Sequence, residues 1–395
     1  MPQFDRTSRF LVYGLILILC LLVFTSMTYL RARTPSSTSI PAARVLPTTP
    51  PNIAEMVVTP QQISTSAPSP TPLPSLRQLV LPRGLVVGVS VAPAWLEEPA
   101  YSSLLTQNFN AVTPENAMKW EVVHPQPDVY DFTQADAIVE YARQNDLLVR
   151  GHTLVWGNQL PDWVKQGNYS REQWIEILRQ HITTVVGRYK GQVYAWDVVN
   201  EAVGEDGELF NNFWLQVIGP DYIPLAFEFA QAADPDALLF YNDNGGEGLN
   251  AKSDSIYRLA QGLMGLGAPI DGVGLQMHVG LGASPSPDEL SANLQRLANL
   301  GLQTQITEMD VRIQSSDAPM EQRLAEQAEI YRQVFALCLQ SPNCTAFFTW
   351  GLTDQHSWIP SHTGNPDAPL LFDENYQAKP AYDSIIWILK EPETP

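Results

Sequence analysis

Eight short β-rich runs alternate with amphipathic stretches from about Leu76 to the end of the 395-residue chain. The runs lie at 85–91, 109–116, 147–156, 193–201, 237–243, 271–278, 304–310 and 346–354. In the stretches between them, such as REQWIEILRQHITTVVGRY, apolar residues recur at the spacing of an α-helix. Eight strand–helix units predict an α/β fold, a closed (β/α)₈ TIM barrel over residues 77–395. A doubly wound open sheet is the structural alternative, although no GxGxxG motif follows an early strand.

The N-terminal part differs in composition. Residues 10–30 read FLVYGLILILCLLVFTSMTYL, carry no charge and are long enough to cross a bilayer as a helix. Arg6 and Arg9 precede this run, and a basic N-terminus favours a cytoplasmic start. We therefore predict a cytoplasmic tip and a transmembrane helix in residues 1–33, which acts as a signal anchor. A cleaved signal peptide is the alternative.

Residues 34–76 are rich in proline, serine and threonine, as in STSAPSPTPLPS. Such a segment cannot bury enough apolar surface to fold, so it is predicted to be a disordered linker. Proline-rich chain rises about 3.1 Å per residue, which gives a reach on the order of 100 Å. The predicted location of the barrel is the extracellular face of the cell membrane, or the medium if the N-terminal segment is cleaved.

The chain is strongly acidic, with 23 Lys and Arg against 42 Asp and Glu and a net charge of −19. This charge repels nucleic acid but not a neutral polysaccharide. No cluster of His and Cys has the spacing of a zinc site, so neither a metal nor another cofactor is expected. A monomer is expected, because the linker is polar and the sequence indicates no interface.

Polar and aromatic residues stand at the ends of successive predicted strands. They are Glu115, Asn116, His152, Trp156, Asn200, Glu201, Asn242, Asp243, Gln276, His278, Glu308, Asp310, Trp350 and Asp354. All strands of a barrel point the same way, and active sites are built at their carboxyl ends. These residues, distant in sequence, are therefore expected to converge on one cleft.

Glu201 and Glu308 form the best candidate catalytic pair. Each ends an apolar strand, and glycoside hydrolysis uses two carboxyl groups that flank the bond to be cut. Metal binding is the competing use of paired carboxylates. It is disfavoured because no second His or Asp lies at ligand spacing beside either glutamate.

Two motifs around these glutamates, WDVVNEA (196–202) and ITEMDV (306–311), resemble those of glycoside hydrolase family 10, the endo-β-1,4-xylanases. Further similar segments are VTPENAMKW (112–120), RGHTLVW (150–156), GVGLQMH (272–278) and WGLTDQHSW (350–358). The resemblance covers roughly residues 80–390 in the family's motif order. It implies endo-hydrolysis of xylan through a two-glutamate mechanism with retention of anomeric configuration.

The resemblance also implies a role for each matching position. Glu201 is expected to be the acid/base and Glu308 the nucleophile. His278 and Asp310 would support the nucleophile, and Asn200 would donate to the sugar 2-hydroxyl. The expected substrate-binding residues are Glu115, Asn116, Lys119, His152, Trp156, Gln159, Gln276, Trp350 and Trp358.

CLQSPNC (338–344) resembles a short bridged loop of the family, which implies a disulfide between Cys338 and Cys344. Two buried free thiols are the alternative. Three positions depart from the family pattern: Gly157, Asn244 and Ile359 stand where His, Tyr and Arg are usual. These changes affect the expected product lengths but not the reaction.

Two other functions are weighed against this interpretation. One is a non-catalytic wall protein that binds xylan on the same barrel, which the intact glutamates disfavour. The other is a retaining glycosidase that acts on another β-1,4-glycan. Both would share the fold and the cleft.

Overall fold

The computed structural model describes residues 74–390. The predicted transmembrane segment and all but the end of the predicted linker lie outside the described residues. Within the described range, no helix combines the length and the apolar character needed to span a membrane. The predicted N-terminal organisation therefore stays a prediction.

Nine parallel strands make up the sheet. They are β1 Val86–Val91, β2 Ala111–Pro114, β3 Leu148–Gly151, β4 Ala195–Asn200, β5 Leu238–Asp243, β6 Gly272–Leu275, β7 His278–Gly280, β8 Gln303–Arg312 and β9 Cys344–Thr349. Each lies in or overlaps one of the eight predicted runs, and the sixth run contains β6 and the first residue of β7. The interruption between β6 and β7 leaves β7 as a short extension that pairs only with β8 in the described sheet.

The sheet closes on itself. β1 pairs with β2 on one side and with β9 on the other, where Val86 lies opposite Ala346. β6 pairs with β8, so eight strands complete the ring. The predicted barrel is confirmed, and the open doubly wound sheet is excluded because an open sheet would leave two unpaired edges.

Eight longer helices surround the barrel within residues 74–390. They are Pro99–Asn108, Thr133–Gln144, Arg171–Arg188, Tyr222–Ala233, Ala251–Leu266, Pro287–Asn299, Met320–Gln340 and Pro380–Lys390. Shorter helices are Leu76–Val80, Pro93–Leu96, Trp120–Val123, Asp162–Lys165, Phe213–Val217 and Ile359–Thr363, with 3₁₀ turns at Leu81–Arg83 and Asp354–His356. The longer helices pack their apolar faces on the outside of the barrel, which buries both faces of the strands.

Local sequence signals fix several helix ends. Ser170 and Ser286 each begin a helix with a capping box, in which the serine side chain and the residue three positions later satisfy each other's backbone amides. Gly267 ends the helix Ala251–Leu266 with φ of +77°, a left-handed conformation that suits glycine. Ser170 and Ser286 thus end loops that come from the carboxyl ends of strands, whereas Gly267 begins the loop that leads into β6 on the opposite face of the barrel.

The folded part begins slightly earlier than the predicted boundary at residue 77. Ser75 caps the helix Leu76–Val80, and Leu76 is buried against the barrel. The last residues that were assigned to the linker are therefore structured. Ser75 caps the first helix, and Leu76 packs on the barrel. Arg83 follows this helix and donates from Nη2 to the backbone oxygen of Leu389 at 3.1 Å, which joins the start of the barrel to its last helix.

Cys338 and Cys344 form a disulfide bond, as the sequence resemblance implied. The bond links the end of the helix Met320–Gln340 to the first residue of β9. Both cysteines are buried. The alternative of two free thiols is therefore wrong.

Candidate active site

A cleft of about 710 Å³ lies at the carboxyl ends of the barrel strands. Its lining includes Glu115, Asn116, Lys119, His152, Trp156, Gln159, Asn200, Glu201, Gln276, His278, Glu308, Trp350 and Trp358. All of these were predicted as site residues. Asp310, the remaining predicted site residue, does not line the cleft but lies buried beneath His278. The strand-end residues therefore converge as the barrel topology requires.

Glu308 lies deep in the cleft, with only 4 % of its surface exposed. Asn242 Nδ2 donates to its Oε1 at 2.7 Å. His278 Nε2 lies 3.2 Å from its Oε2. Each carboxylate oxygen thus has a donor, which offsets the cost of burying a negative charge.

These contacts decide the ionisation of Glu308. Burial alone would raise the pKa of this carboxyl, but the nearby His152 and the hydrogen bond and charge of His278 outweigh it, and the net pKa is lowered. Burial opposes the charge on His278 as well, but Asp310 and Glu308 overcome it and raise the pKa of His278 to about 10. At neutral pH the Glu308 carboxylate is therefore ionised beside an imidazolium.

Asp310 acts on the site through other side chains. Its Oδ2 lies 2.8 Å from His278 Nδ1 and accepts a second hydrogen bond, also of 2.8 Å, from Trp358 Nε1. Because His278 is protonated, both of its ring nitrogens donate, one to Asp310 and one to Glu308. Asp310 therefore fixes the orientation of the ring that supports Glu308.

Glu201 is held differently. It follows β4 directly with φ of +55°, a left-handed conformation that is uncommon for a residue with a side chain. Its side chain is partly exposed and accepts hydrogen bonds from Trp156 Nε1 at 2.8 Å and from Gln276 Nε2 at 3.0 Å. Both donors are neutral. In addition, no basic side chain in residues 74–390 forms an ion pair with Glu201.

The backbone after Glu201 is fixed by a buried pair of side chains on β5. Ala202 N donates to the hydroxyl of Tyr241 at 3.0 Å, and Val203 N donates to Asp243 Oδ2 at 3.4 Å. Burial raises the pKa of Asp243 to about 7, although Lys252 lies 3.2 Å from its Oδ1 and opposes the rise. The unusual backbone of Glu201 is thus stabilised by hydrogen bonds to the two residues that follow it.

The residues after β2 form a connected polar surface. Lys119 Nζ donates to Asn116 Oδ1 at 2.9 Å and lies 4.9 Å from the ring centroid of Trp156. Asn116 Nδ2 donates to Glu115 Oε1 at 3.1 Å, and Gln159 Nε2 donates to Asn116 Oδ1 at 3.3 Å. Burial lowers the pKa of Lys119 and raises that of Glu115. Such a network orients several donors and acceptors toward one ligand.

Aromatic side chains line other parts of the cleft. Trp350 packs edge-to-face on His152, with ring centroids 5.1 Å apart. Trp358 packs in the same way on His278 at 5.2 Å. Aromatic faces beside polar groups suit sugar rings, which have apolar faces and polar edges.

Some important residues had no role assigned to them from the sequence. Asn242 donates to both Asn200 and Glu308, at 2.8 and 2.7 Å. Arg150 and Asp197 form a fully buried ion pair in the barrel interior, and Asp197 Oδ2 also lies 3.0 Å from His152 Nδ1. The only signal for Asn242 in the sequence was its position near the end of a predicted strand.

The three departures from the family pattern lie at or beside the cleft. Asn244 and Ile359 line it, and Gly157 lines an adjoining hollow of about 180 Å³. A Cβ atom at Gly157 would lie 2.7 Å from Cβ of Asn212, so this position leaves no room for a side chain without rearrangement.

His152, Asp197 and Glu308 lie close enough together to be considered as metal ligands. Their ligand atoms already have partners, however. Asp197 is bonded by Arg150 and His152, and Glu308 by Asn242 and His278. A metal would have to displace these donors, and the buried guanidinium would oppose its charge.

Comparisons with known proteins agree with this geometry. The model of the family "Glycosyl hydrolase family 10" matches residues 75–387. The endo-1,4-β-xylanase B of Thermotoga neapolitana is 43 % identical over 291 residues, which cover 74 % of this chain and 84 % of that protein. The β-1,4-xylanase of Dictyoglomus thermophilum is 42 % identical over 299 residues, 72 % of this chain and 84 % of that protein.

Solved structures are similar over the same region. Xylanase 10B from Thermotoga petrophila RKU-1, in complex with xylobiose, has a TM-score of 0.79 and 42 % identity, and the match covers 82 % of this chain and 99 % of that one. Native xylanase 10B from Thermotoga maritima has a TM-score of 0.77 and 43 % identity, over 80 % and 98 % of the two chains. From the family match, the closed barrel and the paired glutamates of the cleft, we conclude that the chain belongs to glycosyl hydrolase family 10.

Proposed function

We propose that the protein is a retaining endo-β-1,4-xylanase that works outside the cell. The observation that carries the proposal is the pair of unlike carboxyl groups in one cleft. Glu308 is buried and kept ionised by the donors around it, whereas Glu201 is partly exposed and bonded only by neutral donors. Retaining glycosidases need one carboxylate that attacks and one carboxyl that exchanges a proton.

In the first step, a Glu308 carboxylate oxygen attacks the anomeric carbon of the sugar. The bond from that carbon to the glycosidic oxygen breaks, and Glu201 gives its proton to this leaving oxygen. The products of the step are a sugar ester of Glu308, a Glu201 carboxylate and the shortened polymer. His278 stabilises Glu308 before the attack, since its Nε2 lies 3.2 Å from the carboxylate.

In the second step, the Glu201 carboxylate takes a proton from water while the water oxygen attacks the same anomeric carbon. The bond to Glu308 breaks, and Glu308 returns as a carboxylate. Two inversions give net retention. The cycle uses only side chains of the cleft and water. Its rate should have a bell-shaped pH dependence, which reports the coupled titration of Glu201 and Glu308.

The shape of the cleft supports internal cleavage of a polymer. The polar network of Glu115, Asn116 and Lys119 follows β2, whereas Asn244 follows β5 on another part of the barrel rim. Polar side chains thus line the cleft on more than one side of the glutamates. A chain that continues in both directions from the cut bond would be held at both ends.

The cellular location is proposed from the N-terminal sequence and the disulfide. The uncharged run at residues 10–30 and the proline-rich segment after it fit a membrane anchor with a spacer. The bond between Cys338 and Cys344 fits an oxidising compartment. Cell fractionation and protease treatment of intact cells would test this, and recovery of the barrel in the cytosol would contradict it. We also propose a monomer, which light scattering would test.

The activity is tested by incubating the purified protein with beechwood xylan and measuring both reducing ends and viscosity. We expect viscosity to fall early, because internal cuts shorten chains faster than cuts at the ends. Proton NMR of a short xylo-oligosaccharide should show the β-anomer as the first product, and an initial α-anomer would contradict retention. Carboxymethylcellulose and mixed-linkage glucan serve as comparison substrates.

The same assay separates the alternatives. Binding to xylan without release of reducing ends would indicate a non-catalytic wall protein. Faster release from a glucan than from xylan would indicate another β-1,4-glycan as the substrate. Neither result is expected, because the relatives described above carry the name xylanase and the cleft contains both glutamates.

A further inference from the structure

Arg312 places a guanidinium at the wall of the cleft. It is the last residue of β8, four positions after Glu308, and it lines the cleft together with Trp358 and His362. Its backbone is fixed by the pairing of β7 with β8, in which it lies opposite Gly280. Leu281 N also donates to its backbone oxygen at 3.0 Å.

The side chain of Arg312 lies across β7. A Cβ atom at Gly280 would lie 3.7 Å from Cβ and 3.9 Å from Nε of Arg312, which are ordinary van der Waals distances, so the side chain passes close over this residue. Arg312 Nε donates to the backbone oxygen of Val279 at 3.5 Å, a long and weak bond. This bond and the paired strands hold the stem, while the two terminal nitrogens have no hydrogen-bond partner among residues 74–390.

The acidic groups nearest to Arg312 along the chain are already engaged. Glu308 and Asp310 are both paired with His278, and Arg312 forms no salt bridge within the described part of the chain. The two terminal nitrogens of the guanidinium are therefore available to an anionic ligand.

Lys119, the other Lys or Arg side chain that lines the cleft, makes the contrast clear. It is 7 % exposed, donates to Asn116 Oδ1 and lies over the ring of Trp156. Lys119 follows β2 and Arg312 ends β8, so the two cations lie on different parts of the rim. Lys119 is hydrogen-bonded within the protein, whereas Arg312 is partly exposed to the cleft.

We infer that Arg312 is a specificity-determining residue that binds the carboxylate of a uronic acid side group on the xylan chain. The inference rests on the proposed xylanase function and extends it to the type of decoration that the cleft accepts. A guanidinium binds a carboxylate through two parallel hydrogen bonds, which a neutral hydroxyl group cannot match. It also offsets locally the repulsion between an acidic protein and an acidic polymer.

The test compares three substrates: native glucuronoxylan, the same polymer with its carboxyl groups reduced to alcohols, and linear xylohexaose. The variants are Arg312→Gln, which removes the charge, and Arg312→Lys, which keeps the charge but not the paired donors. Arg143→Gln is the matched control, because it removes the same charge from an exposed helix position away from the cleft.

We expect Arg312→Gln to lower kcat/KM on native glucuronoxylan about tenfold, which is the size of one charged hydrogen-bonding contact. Its kcat/KM on the reduced polymer and on xylohexaose should stay within about twofold of the parent. Arg312→Lys should fall between parent and Arg312→Gln on the acidic polymer, and Arg143→Gln should match the parent throughout. Equal losses on all three substrates, or no loss on the acidic one, would overturn the inference.

A binding measurement separates this inference from the proposed function. Migration of the parent and Arg312→Gln is compared in native gels that contain either form of the polymer. Selective retardation of the parent by the acidic form supports the role of Arg312 even if no substrate is cut. If xylohexaose is cut but the acidic polymer retards parent and variant alike, the xylanase function stands and the role of Arg312 is wrong.

Discussion

One glutamate of the cleft lies on β8 and the other lies directly after β4, and their surroundings differ in almost every respect. Glu308 is buried and bonded by an amide and by the imidazolium of His278. Glu201 is partly exposed, lies on left-handed backbone and accepts only from Trp156 and Gln276. The same side chain is therefore held by a cationic donor in one place and by neutral donors alone in the other.

The difference shows that charge state is set by the number and charge of donors and not by burial alone. Burial raises the pKa of both Glu115 and Asp243, neither of which is hydrogen-bonded to a histidine within residues 74–390. Burial of Glu308 is outweighed by two histidines, and its pKa falls. Four variants, taken from the largest expected effect to the smallest, test this contrast.

Glu308→Ala should lower kcat on xylan by on the order of 10⁵-fold, because no other group can form the covalent intermediate. The loss should be as large on an aryl xylobioside with a good leaving group. Steady-state rates on both substrates check this. Glu228→Ala, on an exposed face of the helix Tyr222–Ala233, is the matched control and should retain full activity. A variant that keeps one tenth of the parent rate would remove Glu308 from the proposed role.

Glu201→Ala should lower kcat on xylan by roughly 10²- to 10⁴-fold, the usual contribution of a general acid. On a dinitrophenyl xylobioside the first step should be almost unaffected, because that leaving group departs without a proton. A burst of dinitrophenolate, followed by slow turnover, is the expected record in a stopped-flow trace. Added azide should then speed turnover and give a β-glycosyl azide. If the two alanine variants behave alike on this substrate, the contrast between the glutamates is broken.

Asn242→Asp should lower kcat/KM by about 100-fold. The change keeps the size of the side chain but replaces the donor to Glu308 with a second carboxylate, which raises the pKa of Glu308 and repels its charge. The pH dependence of kcat/KM and the thermal midpoint of unfolding should both be measured. Asn375→Asp, at an exposed site, controls for the added charge. An unchanged rate would show that the Asn242 contact does not support the ionised form.

His278→Gln should lower kcat/KM about tenfold at the optimum and move the acidic limb of the pH profile upward by about one unit. The sign follows from the role of Glu308, which must be ionised to attack. Loss of the imidazolium raises the pKa of Glu308, so a higher pH is needed to ionise it. His356→Gln, whose histidine contacts Glu98, is the control and should leave the limb in place. A shift toward lower pH would contradict the proposed support.

The barrel and most of the cleft could be predicted because they follow from local patterns. Parallel strands bring all carboxyl ends to one face, so a polar residue that closes an apolar run is expected there whatever its neighbours. Glu201, Glu308 and Gln276 were found in this way, and each lines the cleft. Asp310 was predicted for support, and it lies below the surface, where it contacts His278.

What could not be predicted depends on distances between strands. Arg150 and Asp197 each interrupt an apolar run, and only the pairing of β3 with β4 shows that they neutralise each other. Asn242 is the penultimate residue of β5, but its amide reaches Glu308 on β8, two strands away along the ring. Arg312 lies within a β-rich stretch, and its exposure to the cleft follows from the short strand β7 beside it.

The contact between Arg83 and Leu389 has a consequence for the connectivity of the domain. It places the first and last helices of the barrel side by side, so a peptide of a few residues would join the two ends into a loop. New ends could then be opened at the exposed turn Lys190–Gly191, just before β4 and on the face opposite the glutamates. Such a circular permutant would keep every strand pairing. The cut lies in a turn, and a closed sheet has no edge strand that must come first in the chain.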